Sequence, residues 1–183
     1  MHSLAKILTE RVADCKKKSQ ALVYYGVMTY LHKTLTHQGV VLCADIGWTN
    51  FKLAAVSVKN GKCTILHKET HSTPEIQKPE TFFAQIRTKW EKDLGVTFVG
   101  MGLALAGPVT GQTCTMTNAN LSVDGAAIEK QLGIPVWLLN DLASITYGIA
   151  LIDHSDATGI HHLGGPLQGP AGNITRKTVV APG

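Results

Sequence analysis

The sequence predicts an α/β chain in which a mixed β-sheet is flanked by helices. Three segments of strand character follow one another with only short turns between them, which indicates antiparallel pairing. Later strand segments alternate with helical ones, which indicates parallel pairing. The composition agrees, because 44% of the 183 residues are hydrophobic and 16% are charged, as in an ordinary globular chain.

Residues 1–38 are predicted to form an N-terminal helical extension. Apolar residues recur at helical spacing between positions 3 and 18 and leave a basic opposite face. These apolar residues are Leu4, Ile7, Leu8, Val12 and Cys15. A second helix, or a continuation of the first, is predicted over 20–34, and the pattern changes to β after Gly39.

Residues 39–152 are predicted to form the main domain, which begins with three strands and a helix. Strands over 40–45 and 51–58 are followed by the hairpin signal "KNG" and a third strand, "KCTILHKE". A helix is predicted from Pro79, which suits a first helical turn, to Gly95, which suits a helix end.

The second half of this domain is predicted to alternate strands and helices. The run "TFVGMGLALAG" is of buried-strand type, and "PVTGQTCTMTN" suggests a turn and one more strand. A short helix is expected from the capping residue Ser122 to Gly133. The strand "IPVWLL" then leads into a helix that starts at Asn140 or Asp141. Residues 153–183 are predicted to be a connection and the start of a further strand.

Charge and cysteine content narrow the range of partners and compartments. The net charge of +4 is mild, and no basic stripe is wide enough for us to expect nucleic-acid binding. Four cysteines without a C-x-x-C pair indicate a reducing, cytoplasmic setting without disulfides. The start lacks the apolar core of a signal peptide, and "ALVYYGVMTYL" is too short to span a bilayer, so no membrane partner is expected.

The first candidate site is the tip between the first two strands, with Asp45, Gly47, Thr49 and Asn50. These residue types all favour turns, so a plain hairpin turn is one interpretation. The other is a phosphate-binding turn, in which glycine allows close approach and N–H and hydroxyl groups donate to phosphate oxygens. Asp45 would then face Mg²⁺, usually through water. Lys52 would be a solvent-facing lysine or a helper for the phosphate charge.

The second candidate site lies at Asn140 and Asp141, which follow a buried strand and open a helix. Either residue could simply cap the helix. Alternatively, Asp141 is a general base, because a helix N-terminus favours the ionised carboxylate and α/β sheets bind ligands at the carboxyl ends of their strands. Such a base can take a proton from a hydroxyl during phosphoryl transfer.

The third candidate site is the segment "MTNANLS", with Thr117, Asn118 and Asn120. It is either a polar loop or a sugar-binding loop whose amides both donate and accept hydrogen bonds. A metal site at His161 and His162 is not expected, because further ligands with suitable spacing are missing.

Together, "ADIGWTNFKLAAV", "GMGLALAGPVTGQTCTMTNANLSVD" and "IPVWLLNDLASITYGIAL" closely resemble the bacterial-type glucokinase family, from about residue 40 onward. The resemblance implies the ribonuclease-H-like small lobe of a sugar kinase and phosphorylation of glucose at the 6-hydroxyl with ATP and Mg²⁺. It implies that Asp141 is the catalytic base, that Asn140 binds glucose and that Asn118 lies in the sugar loop. Asp45, Gly47, Thr49 and Asn50 match the family's first phosphate motif.

Three departures from that family qualify the resemblance. Trp48 stands where the family usually has a second glycine, and its bulk could weaken nucleotide binding. Leu121 stands where an aromatic residue is common. The sequence ends at Gly183, before the larger lobe that the family carries. We therefore expect the 183-residue chain alone to have little or no kinase activity.

These departures raise two questions, the role of the extension and the function of the chain. The extension, residues 1–38, either covers a face of the sheet or makes a contact in a homodimer. The chain could also be a non-catalytic sugar-binding, regulatory or interaction module derived from a glucokinase. Related sugar-responsive repressors carry an N-terminal helix-turn-helix, but the extension here is short, so DNA binding is not expected.

Overall fold

The computed structural model describes residues 39–59 and 62–148 of the chain. The predicted helical extension over 1–38, the turn residues 60 and 61, and the predicted connection over 153–183 lie outside the described residues. The strands are β1 (Gly39–Ile46), β2 (Asn50–Lys59), β3 (Lys62–Ser72), β4 (Phe98–Leu105), β5 (Val109–Thr110), β6 (Thr113–Met116), β7 (Leu121–Asp124) and β8 (Val136–Asn140). The helices are α1 (Pro79–Leu94), α2 (Gly125–Leu132) and α3 (Asp141–Gly148).

The main sheet has the strand order β3-β2-β1-β4-β8. β1 pairs antiparallel with β2, and β2 pairs antiparallel with β3. β4 pairs parallel with both β1 and β8. The predicted mixed sheet, antiparallel first and parallel afterwards, is therefore confirmed.

The segment between β4 and α2 differs from the sequence prediction. Instead of one strand it contains three, and β5, β6 and β7 form a small antiparallel sheet. Strands of two to four residues give too few alternations for a period to be visible in the sequence.

Ser122 was predicted to cap the short helix, and this prediction is wrong. Ser122 lies within β7, where it pairs with Thr115. The capping residue is Asp124, whose Oδ1 accepts the N–H groups of Ala126 at 2.9 Å and Ala127 at 3.1 Å. Serine and aspartate both cap helices well, but the pairing of β7 with β6 holds Ser122 within the strand. Asp124 is therefore the residue that caps α2.

Helix ends elsewhere follow the predicted signals. α1 begins at Pro79 and is followed by Gly95, which adopts φ 64°. α2 is followed by Gly133 with φ 67°. Both glycines end their helices in the left-handed conformation, which costs residues with a Cβ more than it costs glycine.

Side chains alternate along β1 and divide the sheet into two faces. Leu42 and Ile46 pack into the larger core with residues of α1 and α2, and we call this the α1/α2 face. Val41 and Cys43 pack into a smaller cluster with Ile145 of α3, and we call this the α3 face. Cys43 is fully buried there, as the sequence predicted for a small core residue.

The carboxyl ends of β1, β4 and β8 meet at one edge of the main sheet. The register aligns Ile46 of β1 with Leu105 of β4, and Leu105 with Asn140 of β8. The polar residues that follow β1 and β8 therefore lie at the same edge, which is where open α/β sheets bind ligands.

Candidate functional site

The turn between β1 and β2 is held by Thr73, which follows β3. The hydroxyl of Thr73 donates to the carbonyl of Gly47 at 2.8 Å, and its N–H donates to the carbonyl of Thr49 at 3.0 Å. Within the turn, the N–H of Gly47 donates to the carbonyl of Asn50 at 2.9 Å. Two carbonyl groups of the turn are thus directed towards Thr73.

The outer surface of this turn carries hydrogen-bond donors. Among the described residues, the backbone N–H groups of Trp48 and Thr49 have no acceptor. Thr49 Oγ1 accepts the side-chain amide of Asn50 at 3.0 Å, which leaves the Thr49 hydroxyl hydrogen available for another acceptor. Consecutive free N–H groups beside a hydroxyl can bind an anion such as phosphate.

Gly47 is not required by the backbone conformation of the turn. Its φ is not in the positive range, and a Cβ added there would meet only the Asn50 carbonyl oxygen, at the ordinary contact distance of 3.5 Å. The fold itself would accept a small side chain at this position. A ligand that approaches the backbone closely is a reason for glycine that the fold does not supply.

Asp45 lies on the α3 face, one residue before the end of β1. Its carboxylate is largely buried, and Lys52 on β2 approaches it with 3.6 Å between Nζ and Oδ2. Burial raises the pKa of Asp45, the attraction and hydrogen bond of Lys52 lower it, and the charge of Asp141 raises it, with a net increase. Lys52 is therefore paired with the carboxylate and is not simply a solvent-facing lysine.

Asn140 ends β8 and caps α3. Its Oδ1 accepts the N–H groups of Leu142 at 3.1 Å and Ala143 at 3.2 Å. Its Nδ2 donates to the carbonyl of Gly107 at 3.1 Å. These three bonds fix the side-chain amide and leave one amide hydrogen for a ligand.

Asp141 is the first residue of α3. Its Oδ1 accepts the N–H of Leu142 at 2.8 Å, and Oδ2 has no hydrogen bond among the described residues. Its charge contributes to the raised pKa values of two groups, Asp45 and Cys114, although burial is the larger cause for both. The register of β1, β4 and β8 places Asp141 at the same edge of the sheet as Asp45.

The third predicted site lies apart from these hydrogen bonds. Thr117, Asn118 and Ala119 form a 3-10 turn, and Asn120 follows it with φ 47°. Asn118 and Asn120 are exposed. No hydrogen bond among the described residues joins them to Asp45 or Asp141.

The position of Leu121 gives one of the departures a structural explanation. Leu121 is 5% exposed and belongs to the core on the α1/α2 face. Its side chain therefore serves packing. Trp48, by contrast, is 52% exposed, and its indole Nε1 donates to the carbonyl of Ala106 at 3.2 Å.

Two kinds of feature are absent from the part of the chain that the structure describes. Within 39–59 and 62–148, no three His, Cys, Asp or Glu side chains form a group that could hold a metal ion on their own. In the same ranges, every helix is too short or too polar to cross a bilayer.

Comparison with known proteins gives one consistent result. The glucokinase family model matches residues 42–183. A glucokinase from Synechocystis sp. is 30% identical over 125 residues, which cover 64% of this chain and 35% of that protein. A glucokinase from Zymomonas mobilis is 27% identical over 150 residues, which cover 78% of this chain and 43% of that protein. The chain thus spans less than half the length of these relatives.

The chain is also similar to solved structures. One is the crystal structure of a glucokinase from an Antarctic psychrotroph, which is 19% identical and has a TM-score of 0.48. This match covers 56% of this chain and 32% of that one. Another is a glucokinase from Balamuthia mandrillaris, solved in complex with glucose, which is 21% identical and has a TM-score of 0.47. This match covers 69% of this chain and 35% of that one.

The fold is a mixed sheet with polar residues gathered at the carboxyl ends of β1 and β8. The family match covers most of the chain and includes every described strand from Leu42 onward. The chain belongs to the glucokinase family.

Proposed function

We propose that this chain forms the small lobe of a glucokinase that transfers a phosphoryl group from ATP to the 6-hydroxyl of glucose. The proposal rests mainly on one observation. The strand register places Asp45, near the end of β1, and Asp141, which follows β8, at the same edge of the sheet. A phosphate site beside Asp45 and a sugar site beside Asp141 would then lie next to each other.

On the phosphate side, the turn after β1 offers the donors that a phosphate needs. The N–H groups of Trp48 and Thr49 and the hydroxyl of Thr49 would bind phosphate oxygens, and Gly47 would allow close approach. Asn50 would orient the Thr49 hydroxyl through its amide.

Mg²⁺ fits this site as a companion of the phosphates. It prefers oxygen ligands and is commonly held by one or two carboxylates together with phosphates and water. Asp45 would hold it through water. When bound, Mg²⁺ supplies positive charge that offsets the phosphate charge. Lys52 would neutralise Asp45 in its absence, because the two are already paired at 3.6 Å.

On the sugar side, Asp141 would act as the general base. Its Oδ2 has no hydrogen bond among the described residues and is thus free to accept a proton. It would accept the proton of the 6-hydroxyl as the oxygen attacks the phosphoryl group. Asn140 would contact the sugar through its remaining amide hydrogen, and Asn118 and Asn120 would bind other hydroxyl groups.

Site-directed variants of the two aspartates test this assignment. Binding of D-glucose and Mg·ATP to the 183-residue chain would be measured by calorimetry, and turnover by a coupled assay. If the chain turns over, Asp141→Asn should lower kcat by roughly 10²- to 10⁴-fold, the usual range for a general base. Asp124→Asn is the matched control, because this carboxylate caps α2 and should leave turnover and binding unchanged.

One result would contradict the proposal: a chain that turns over and whose kcat is unchanged in Asp141→Asn. Rapid turnover by the 183-residue chain would support the kinase assignment and would contradict only our expectation that this chain has little or no activity.

A second candidate is a non-catalytic module that uses the same fold. The observation that favours it is the bulky, half-exposed indole of Trp48 at the phosphate turn. If millimolar glucose produces no heat of binding and Mg·ATP produces none either, this candidate replaces the kinase.

A further inference from the structure

We propose that Trp48 is a positioning residue that links the phosphate turn to the sugar-side amide of Asn140. The link runs through the loop that follows β4, at Ala106 and Gly107. This inference rests on the proposed function, because it assigns a role to the one residue of the turn that is neither small nor polar.

The link consists of two hydrogen bonds to consecutive carbonyl groups. Trp48 Nε1 donates to the carbonyl of Ala106 at 3.2 Å, from the β1 side. Asn140 Nδ2 donates to the carbonyl of Gly107 at 3.1 Å, from the β8 side. The loop after β4 is therefore held between the two candidate sites by one side chain from each.

The backbone strengthens the connection on the side of the turn. The N–H of Ala106 donates to the carbonyl of Ile46 at 3.1 Å, so the loop is joined to the last residue of β1, just before the turn. Trp48 lies two positions further on and adds a second bond to the same residue of the loop. A shift of the turn would thus be passed to Ala106 and, through the next peptide, to the acceptor of Asn140.

A bond over this distance in sequence distinguishes Trp48 from an incidental surface aromatic. Single exposed apolar residues are common and need no special explanation. Here, however, the indole N–H reaches a carbonyl 58 residues away, in a loop that also binds the second candidate site. Phenylalanine would keep the ring but lose this donor, and glycine would lose both.

Trp48 acts by positioning the Asn140 amide and takes no direct part in the chemistry. Asn140 has three of its hydrogen-bonding positions engaged, and one of these depends on where the Gly107 carbonyl lies. Loss of the Trp48 bond would free the loop on one side and widen the range of orientations of the Asn140 amide. A neutral hydrogen bond of this kind corresponds to about a two- to tenfold change in an equilibrium.

The first test uses the ligand-free 183-residue chain, labelled with ¹⁵N. In Trp48→Phe, the side-chain NH₂ resonances of Asn140 should shift, and their exchange with water should become faster by about two- to tenfold. The matched control is Trp90→Phe in α1, which also removes an indole donor, from Nε1 to Glu69 Oε1 at 3.2 Å. In that control the Asn140 resonances should remain in place.

Unchanged Asn140 resonances and exchange in a folded Trp48→Phe variant would overturn the proposal. So would equal shifts in both variants, since these would reflect a general loosening. Because this test needs no substrate, its outcome is independent of whether the chain is a kinase.

The second test measures D-glucose affinity by calorimetry. Trp48→Phe should weaken it by about two- to tenfold. Adding Trp48→Phe to Asn140→Ala should weaken it no further, because the link ends at Asn140. Full additivity of the two changes would contradict the link. Absence of glucose binding in the unaltered chain would contradict the proposed function, and the resonance test would then decide the positioning role alone.

Discussion

Two carboxylates on opposite faces of the same sheet have opposite electrostatic surroundings. Glu69 of β3 lies on the α1/α2 face, where cationic and polar groups surround it. Its oxygens are bonded to His67 Nε2 at 3.1 Å, His71 Nε2 at 3.2 Å, Lys89 Nζ at 2.6 Å and Trp90 Nε1 at 3.2 Å. Burial alone would raise the pKa of Glu69, but the hydrogen bonds outweigh it and hold the pKa at about 2.

Asp45 has one cation nearby and another carboxylate within range. Burial is the main cause of its raised pKa, Lys52 at 3.6 Å compensates only in part, and Asp141 adds repulsion. The ionised form is thus favoured at Glu69 and disfavoured at Asp45. We infer that Glu69 stabilises the fold, whereas Asp45 is placed for a ligand that brings positive charge.

The largest stability effect in this comparison is expected for Glu69→Gln. The amide cannot accept from Lys89 and both histidines as a carboxylate does. Because these groups are partly exposed and screened by water, the loss should be on the order of 1–2 kcal/mol at pH 7. Urea unfolding monitored by circular dichroism would measure it.

The pH dependence of the same variant gives an independent check. Since the pKa of Glu69 is lowered by folding, its contribution is present above the unfolded value of about 4.3 and is lost as the pH falls towards about 2. The difference in stability between the chain and Glu69→Gln should therefore shrink over this interval. A constant difference from pH 7 to pH 2 would show that Glu69 acts by packing alone.

A smaller loss is expected when the carboxylate that caps α2 is removed. Asp124→Ala leaves two N–H groups of the first turn without their acceptor, at Ala126 and Ala127. The cost should be about 1 kcal/mol in the same unfolding measurement. Ser122→Ala, at the residue that the sequence first suggested as the cap, is the control and should have a smaller effect.

The smallest effect, and one of opposite sign, is expected for Asp45→Asn. Because folding raises the pKa of Asp45, ionisation of its carboxylate destabilises the fold as the pH rises from the unfolded value of about 3.9 through the raised pKa. The variant should gain about 0.5–1 kcal/mol near pH 7, as often happens when a functional group is neutralised. This gain should disappear in acid, where Asp45 is protonated. A loss of stability at pH 7 would show that the pair with Lys52 outweighs burial.

Much of the fold was predictable because its signals are local. Pro79 and Gly95 mark the ends of α1 within the sequence itself, and the three antiparallel strands are joined by short turns. The cap of α2 was misassigned because Ser122 and Asp124 are both good capping residues, and the choice depends on strand pairing with Thr115. The small sheet was missed because its strands are too short to show a period.

The candidate site residues can be chosen from the sequence, but the contacts that support them cannot. Asp45 and Asp141 stand out because each is a polar residue at the end of an apolar strand. Thr73 was not identified, since it follows the turn that it holds by more than twenty positions and is a common residue type. The pairing of Lys52 and the bond from Trp48 to Ala106 depend on register and on a long-range approach that no local pattern encodes.

The two later parallel strands, β4 and β8, begin with the same kind of hydrogen bond, and this bond has a consequence for assembly of the sheet. Glu91 accepts the N–H of Phe98 at 3.0 Å, and Glu129 accepts the N–H of Val136 at 3.0 Å. Each contact joins a helix to the strand that follows it, across the same separation of seven residues. Closing so short a loop costs little chain entropy. Each strand can thus be aligned with the helix before it, before it pairs with a strand that is distant in sequence. The slow, long-range step of folding then joins helix–strand units in which the first residue of each strand is already in place.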